Sequence, residues 1–209
     1  MVIKRMNPRL IPAFVNSLSA FGTLPLPNTA NPYLSPGCCT NLSSYLIALC
    51  NPRFSGVLLV GEAPGYRGCA ITGIPFTSER VLTTCSHHFL IAIRPSLTIT
   101  GMGTERTATI VWKDLCTRHT LPAFWNAFPF HPHVTGNLFS NRAPTAAEIA
   151  IGTPFLTGII NILCPHIIIG VGKKAGSVLS LLGHHLRVPH PSYRGASGYK
   201  SGIARAGIR

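Results

Sequence analysis

The sequence predicts a layered α/β fold with a parallel core, built as a single domain. Three observations carry this expectation. The run GVLLVG, residues 56–61, is apolar on both faces, as a strand covered by helices on two sides must be. Strand runs alternate along the chain with segments of helical spacing, the pattern of parallel strands joined by crossovers. Hydrophobic residues make up 46% of the 209, with 20 Gly and 18 Pro, which describes a compact chain with many turns and not a disordered one.

Residues 1–55 carry many Pro, Asn and Ser, as in TLPLPNTANPYLSPGCCTNL, and read as an irregular N-terminal extension with a helix near Leu42–Cys50. The strand GVLLVG follows, then a glycine-rich loop. Thr77 or Ser78 is placed to cap a helix running through TSERVLTTCSHHFLIAI, residues 77–93. LPAFWNAFPF, 121–130, is the second strand. APTAAEIAIGTPFLTGIINILC, 143–164, entered through Pro144 and Thr145, supplies one helix or a broken pair. HIIIGVG, 166–172, is a third strand, KKAGSVLSLLG a helix, and LRVPHPS, 186–192, a last short strand. Ligands of such folds sit beyond the carboxyl ends of the strands. Four loops therefore meet on one rim, and three bring a distinct polar group: Glu62, Asn126 and His190.

Charge narrows the partners. The chain has 18 Lys+Arg against 5 Asp+Glu, a net charge of +13. Such an excess favours a polyanion, because phosphate contacts release counterions and steer association. Thirteen of the cations are Arg, suited to bidentate phosphate contacts. The N-terminus MVIKRMNPRL lacks the apolar core of a signal peptide. In FLTGIINILCPHIIIGVG, 155–172, Asn161, Pro165 and His166 interrupt the apolar run, so a helix leading into a buried strand is expected, not a membrane span. Seven cysteines without regular pairing suit a reducing cytoplasm. The histidine pairs lack thiol or carboxylate partners at ligand spacing, so no metal site is expected. GVGKK is not a P-loop, since Ile167 holds the first Gly position and Lys174 the last.

GEAPG at 61–65, TGIPF at 72–76, an Asn at a strand end and a late HPS at 190–192 together resemble the uracil-DNA glycosylase superfamily, nearest to its bacterial and archaeal family-4-type branch. The resemblance spans about Val57 to Gly195. It implies a three-layer α/β/α sandwich around a four-stranded parallel sheet, and an enzyme of base excision repair that flips uracil out of DNA and hydrolyses its N-glycosidic bond. A monofunctional glycosylase is expected, acting as a monomer in the bacterial cytoplasm or nucleoid, and no cofactor is expected. Carried over by position, Gly61 to Gly65, with Ala63 among them, surround the flipped nucleotide. Phe76 stacks on the base, Asn126 reads the uracil edge and His190 faces O2.

These residue types suit that chemistry. A glycosylase must extrude its nucleotide into a fitted pocket, and an aromatic face there stacks on the base. A carboxamide offers one donor and one acceptor to the N3–H and O4 of uracil. A histidine donor stabilises charge developing on O2. Many superfamily members place Asp or Asn where this chain has Ala63, and the stretch YRGCAITG, 66–73, contains no acid, so Glu62 is the carboxylate the first loop can offer to water or to an oxocarbenium ion. Contacts to the DNA backbone are expected from Gly65, Tyr66, Lys173, Ser192, Tyr193 and Arg194, the last loop entering the minor groove. Two alternatives stand: a glycosylase for hypoxanthine or xanthine, and a low-turnover binder of uracil or abasic DNA. Family-4-type enzymes commonly carry an iron–sulfur cluster on four cysteines. No C-x-x-C occurs here, which leaves Cys38 or Cys39, Cys50, Cys85 and Cys116 as the conceivable set.

Overall fold

The computed structural model describes residues 6–22, 26–50, 54–118, 120–184, 186–192 and 194–208. Helix α1 spans Ile11–Ser19 and buries Ile11, Phe14, Val15 and Leu18, an apolar stripe at helical spacing. The short strand β1, Thr29–Ala30, leads to helix α2, Pro36–Leu49. The N-terminal extension is thus largely helical. Pro and Ser in this region mark helix entrances, with Pro36 inside the first turn of α2, where its missing N–H is no loss.

Strand β2, Phe54–Gly61, is fully buried from Val57 onward. Past the first loop come a short helix α3, Cys69–Thr72, and α4, Glu79–Thr84, capped by the Ser78 hydroxyl on the Val81 N–H. The long helix expected over 77–93 is two pieces. Thr83 and Thr84 turn their hydroxyls back onto the carbonyls of Glu79 and Arg80, Cys85 is extended, and His87 caps a new helix α5, His88–Ile93. Helix α6, Arg106–Leu115, falls where the sequence reading placed no element.

Strand β3, Leu121–Asn126, is buried throughout and ends at Asn126; the apolar residues after it, to Phe130, leave the sheet. Strand β4, His131–Pro132, pairs antiparallel with β1. Helix α7, Ala146–Leu163, is a single helix opened by a capping box between Thr145 and Glu148. By length and composition α7 could cross a membrane, but here it packs Leu156, Ile159, Ile162 and Leu163 into the core. Gly152 permits that approach, since a Cβ there would lie 2.3 Å from the Ala127 carbonyl oxygen. Strand β5, Ile167–Val171, helix α8, Lys173–Leu181, strand β6, Leu186–Val188, and helix α9, Ala196–Arg205, complete the chain. The segment after Gly195, read as a loop, is therefore helical, and Tyr199 and Ile203 bury one of its faces.

The main sheet has four parallel strands in the order β3-β2-β5-β6, with helices on both faces, which is the expected α/β/α sandwich. One hydrophobic cluster runs from Ile11 to Ile208.

Candidate active site

Gly61 and Asn126 are register partners at the carboxyl ends of β2 and β3, and both border one pocket there. A Cβ at position 61 would sit 2.6 Å from the Asn126 Oδ1 and 2.8 Å from the Phe76 ring. Only glycine lets the carboxamide and the phenyl ring approach that strand end together. The chain then holds the first loop on β3: the Ala127 N–H donates to the Gly61 carbonyl and the Phe128 N–H to that of Glu62. His131, buried on the far side, anchors the loop through the Pro64 carbonyl at 2.8 Å.

The cavity measures about 550 Å³. Its walls include Glu62, Ala63, Gly65, Phe76, Asn126, His190 and Ser192, brought together from four loops. Tyr66 borders an adjoining groove. Lys173 and Arg194 line neither space, whereas Lys174 reaches the cavity and places its Nζ 3.4 Å from the Glu62 Oε1. Tyr193 lies outside the described residues.

Phe76 has φ of 58°, a left-handed conformation that a bulky side chain adopts only under constraint. The Trp112 indole N–H donates to its carbonyl at 3.0 Å, the Thr77 hydroxyl donates to the Ile74 carbonyl, and Phe124 packs against its ring at 5.2 Å. Asn126 is buried, with its amide nitrogen 3.9 Å from the Cys69 sulfur. Burial pushes the Cys69 thiol up, so it stays neutral beside that amide.

His190 stands exposed at the mouth. Its Nδ1 faces the Ser192 hydroxyl at 2.7 Å and accepts the Ser192 backbone N–H at 3.3 Å. A backbone N–H can only donate, so the ring proton belongs on Nε2. Desolvation by the cavity walls lowers the His190 pKa, while the carboxylates of Glu105 and Glu62 act in the opposite sense.

Glu105 is the residue the sequence reading missed. It caps α6, its oxygens accepting the N–H groups of Thr107 at 2.8 Å and Ala108 at 2.6 Å, and it also borders the cavity. The apolar spacing of Ala108, Val111, Trp112 and Leu115 was the available signal for α6, and Glu105 precedes it. The other acids serve the scaffold. Glu79 binds the 100–103 loop, Asp114 pairs with Arg118, and Glu148 pairs with Arg142.

The cysteine set conceivable for a cluster is not assembled. Cys38 and Cys50 lie at opposite ends of α2, about 18 Å apart along its axis, while Cys85 and Cys116 meet at 3.1 Å. Among the described residues, no group of three or more His, Cys, Asp or Glu is placed to hold a metal ion.

The fold matches the crystal structure of wild-type Pedobacter heparinus SMUG2 with a TM-score of 0.65 at 16% identity, covering 92% of this chain and 96% of that one. Among curated proteins none matches by sequence. The family model described as the uracil DNA glycosylase superfamily matches residues 47–204. With that match over three quarters of its length, and with the sandwich that the fold comparison shares, the chain belongs to the uracil-DNA glycosylase superfamily.

Proposed function

We propose that the protein is a monofunctional uracil-DNA glycosylase, which extrudes deoxyuridine from DNA and hydrolyses its N-glycosidic bond. The observation that carries this reading is the convergence of Phe76, Asn126 and His190 on one cavity at the end of the parallel sheet. Uracil stacks on Phe76, and the contacts from Trp112 and Phe124 that hold its strained backbone keep the ring in one place before substrate arrives. The Asn126 carboxamide pairs with N3–H and O4. Cytosine presents the opposite donor and acceptor pattern and would leave buried polar groups unpaired.

As the C1′–N1 bond lengthens, the base gathers negative charge at O2. His190 meets it with the Nε2 proton that the Ser192 contacts assign to that nitrogen, as a neutral donor that keeps its proton. The sugar becomes cationic, and Glu62 and Glu105 provide negative charge on the same cavity wall. Glu62 is the carboxylate assigned to water, since Glu105 already accepts two helix N–H groups. These steps call on no metal and no nucleotide cofactor.

The ion pair between Glu62 and Lys174 favours a second reading, a low-turnover binder that holds uracil or abasic DNA. One experiment separates the two. Purified protein is incubated with oligonucleotides carrying uracil, hypoxanthine or xanthine, and the products are treated with alkali. Repeated turnover on uracil, with release of the free base and alkali-labile strands, is the expected result. A stable complex without scission would establish the binder, and preferential release of a purine would reassign the base.

A further inference from the structure

The cavity continues past the first motif. Gly65, Glu105, Arg106 and Asn141 border a second groove of about 580 Å³, walled otherwise by Tyr66, Arg67 and the first turns of α6. That volume suits one more nucleotide-sized ligand. The flipped base, already placed between Phe76 and Asn126, leaves this space unused.

The groove carries the two kinds of group that a nucleotide requires. Tyr66 supplies an aromatic ring, half-buried, with the Arg67 guanidinium 5.2 Å from its centroid. Arg67 and Arg106 are both exposed at the rim. The Tyr66 backbone N–H donates to the Asn141 Oδ1 at 3.0 Å, which ties this wall to the loop that also borders the main cavity. Glu105, the acid on the shared border, is held by the N–H groups of Thr107 and Ala108, and the two cations Arg67 and Arg106 outweigh its charge along the groove.

We infer that this groove binds the nucleotide adjoining the extruded one in the same strand, its base unpaired against Tyr66 and its phosphate between Arg67 and Arg106. The inference rests on the glycosylase reading and extends it to the form of the substrate. Within a duplex the neighbouring base stays paired to the opposite strand and stacked on its far side even after the uracil has left, so it is not free to turn onto a tyrosine on a groove wall. In a single strand, or where a duplex opens at the lesion, an aromatic face supports any base regardless of its sequence. The chain is therefore built for single-stranded or locally opened DNA.

The test uses single-stranded oligonucleotides with one central uracil. In two further substrates the base next to it, on one side or the other, is replaced by a tetrahydrofuran residue that keeps the phosphate. Removal of the base on one side should lower kcat/KM about tenfold or more, and removal on the other side should leave it unchanged. Tyr66→Ala should lose a similar factor on the full substrate and become indifferent to both replacements, while Tyr66→Phe retains the wild-type pattern. Equal wild-type rates on all three substrates would overturn the inference, as would undiminished asymmetry in Tyr66→Ala. A protein that releases no uracil would sink the glycosylase reading alone. Binding of a uracil-free single strand, followed by fluorescence anisotropy, then decides the groove: weakening by about tenfold in Tyr66→Ala supports it, and unchanged binding refutes it.

Discussion

Phe76, Asn126 and His190, to which the proposed mechanism assigns the chemistry, are each held by a neighbour outside it. Phe76 keeps its φ of 58° because Trp112 and Phe124 fix its carbonyl and its ring. Asn126 keeps its place because position 61 has no Cβ, and His190 keeps its tautomer through Ser192. Truncations should therefore separate by kinetic parameter. His190→Ala removes a donor that matters most in the transition state, and should cost about a hundredfold or more in kcat. Phe76→Ala removes stacking present in ground and transition states alike, and should raise KM about tenfold or more with a smaller change in kcat. Single-turnover and steady-state assays on one uracil oligonucleotide distinguish the two patterns; wild-type kcat in His190→Ala would remove that residue from the mechanism. The pH profile follows from the same geometry. Desolvation lowers the His190 pKa, so the imidazole stays neutral at and above the usual value of about 6.5. Protonation adds a hydrogen to Nδ1, where Ser192 already presents its N–H, and disrupts the loop. Activity should be flat from about pH 8 to about 6.5 and decline at lower pH. A rise on acidification through that range would mean that the imidazolium is the working form.

Elements were legible in the sequence wherever burial and capping repeat a local rule. The GVLLVG strand, the helix cap at Thr77 or Ser78 and the helix entry at Thr145 are such cases, and the rim rule brought Glu62, Asn126 and His190 to one cavity. Three of the longer helices escaped for different reasons. α6 opens on Glu105, a weak cap by residue type, followed by β-branched residues, so its apolar spacing was overlooked. α9 is rich in glycine and basic residues, and packing of Tyr199 and Ile203 overrides its poor propensity. α1 sits in a segment whose prolines suggested irregular chain. A deeper reason applies to the loop between β4 and α7, whose shape depends on contacts distant in sequence. Arg142 donates to the Glu148 carboxylate at 2.6 Å, to the Asn28 carbonyl and to the His133 carbonyl, and Thr29 donates its hydroxyl to Glu148. Burial pushes the Glu148 carboxyl up, but Arg142, the Thr145 N–H and Thr29 together hold it at about 2. A depressed carboxyl stabilises the fold in full above its unfolded value, about 4.5, and that contribution is lost as pH falls towards 2. Glu148→Gln should therefore cost about 3 kcal/mol at pH 7 and flatten the loss of stability between those pH values, measured by urea unfolding. An unchanged acid limb would show that this ion pair does not hold the cavity wall.

At the scale of the whole molecule, the placement of the acids matters more than their number. Three of the five are engaged in the scaffold, and the other two face the cavity, so most of the cationic surface has no acid to oppose it. Arg67 and Arg106 line the groove and Lys174 the cavity, along the strand path inferred above. Binding to that strand should then divide into two parts with different salt responses. The part owed to phosphates releases counterions, and if about four phosphates are neutralised, affinity for a single strand should fall on the order of fifty-fold between 50 and 200 mM salt. The part owed to uracil consists of stacking and uncharged hydrogen bonds, so the ratio of affinities for uracil-containing and uracil-free strands should hardly move over that range. Anisotropy titrations of both strands across the salt series give the two slopes directly. Parallel slopes separated by a constant ratio are the expected result. Slopes that diverge would mean that uracil recognition itself draws on charge, and Asn126 could not then be its principal reader.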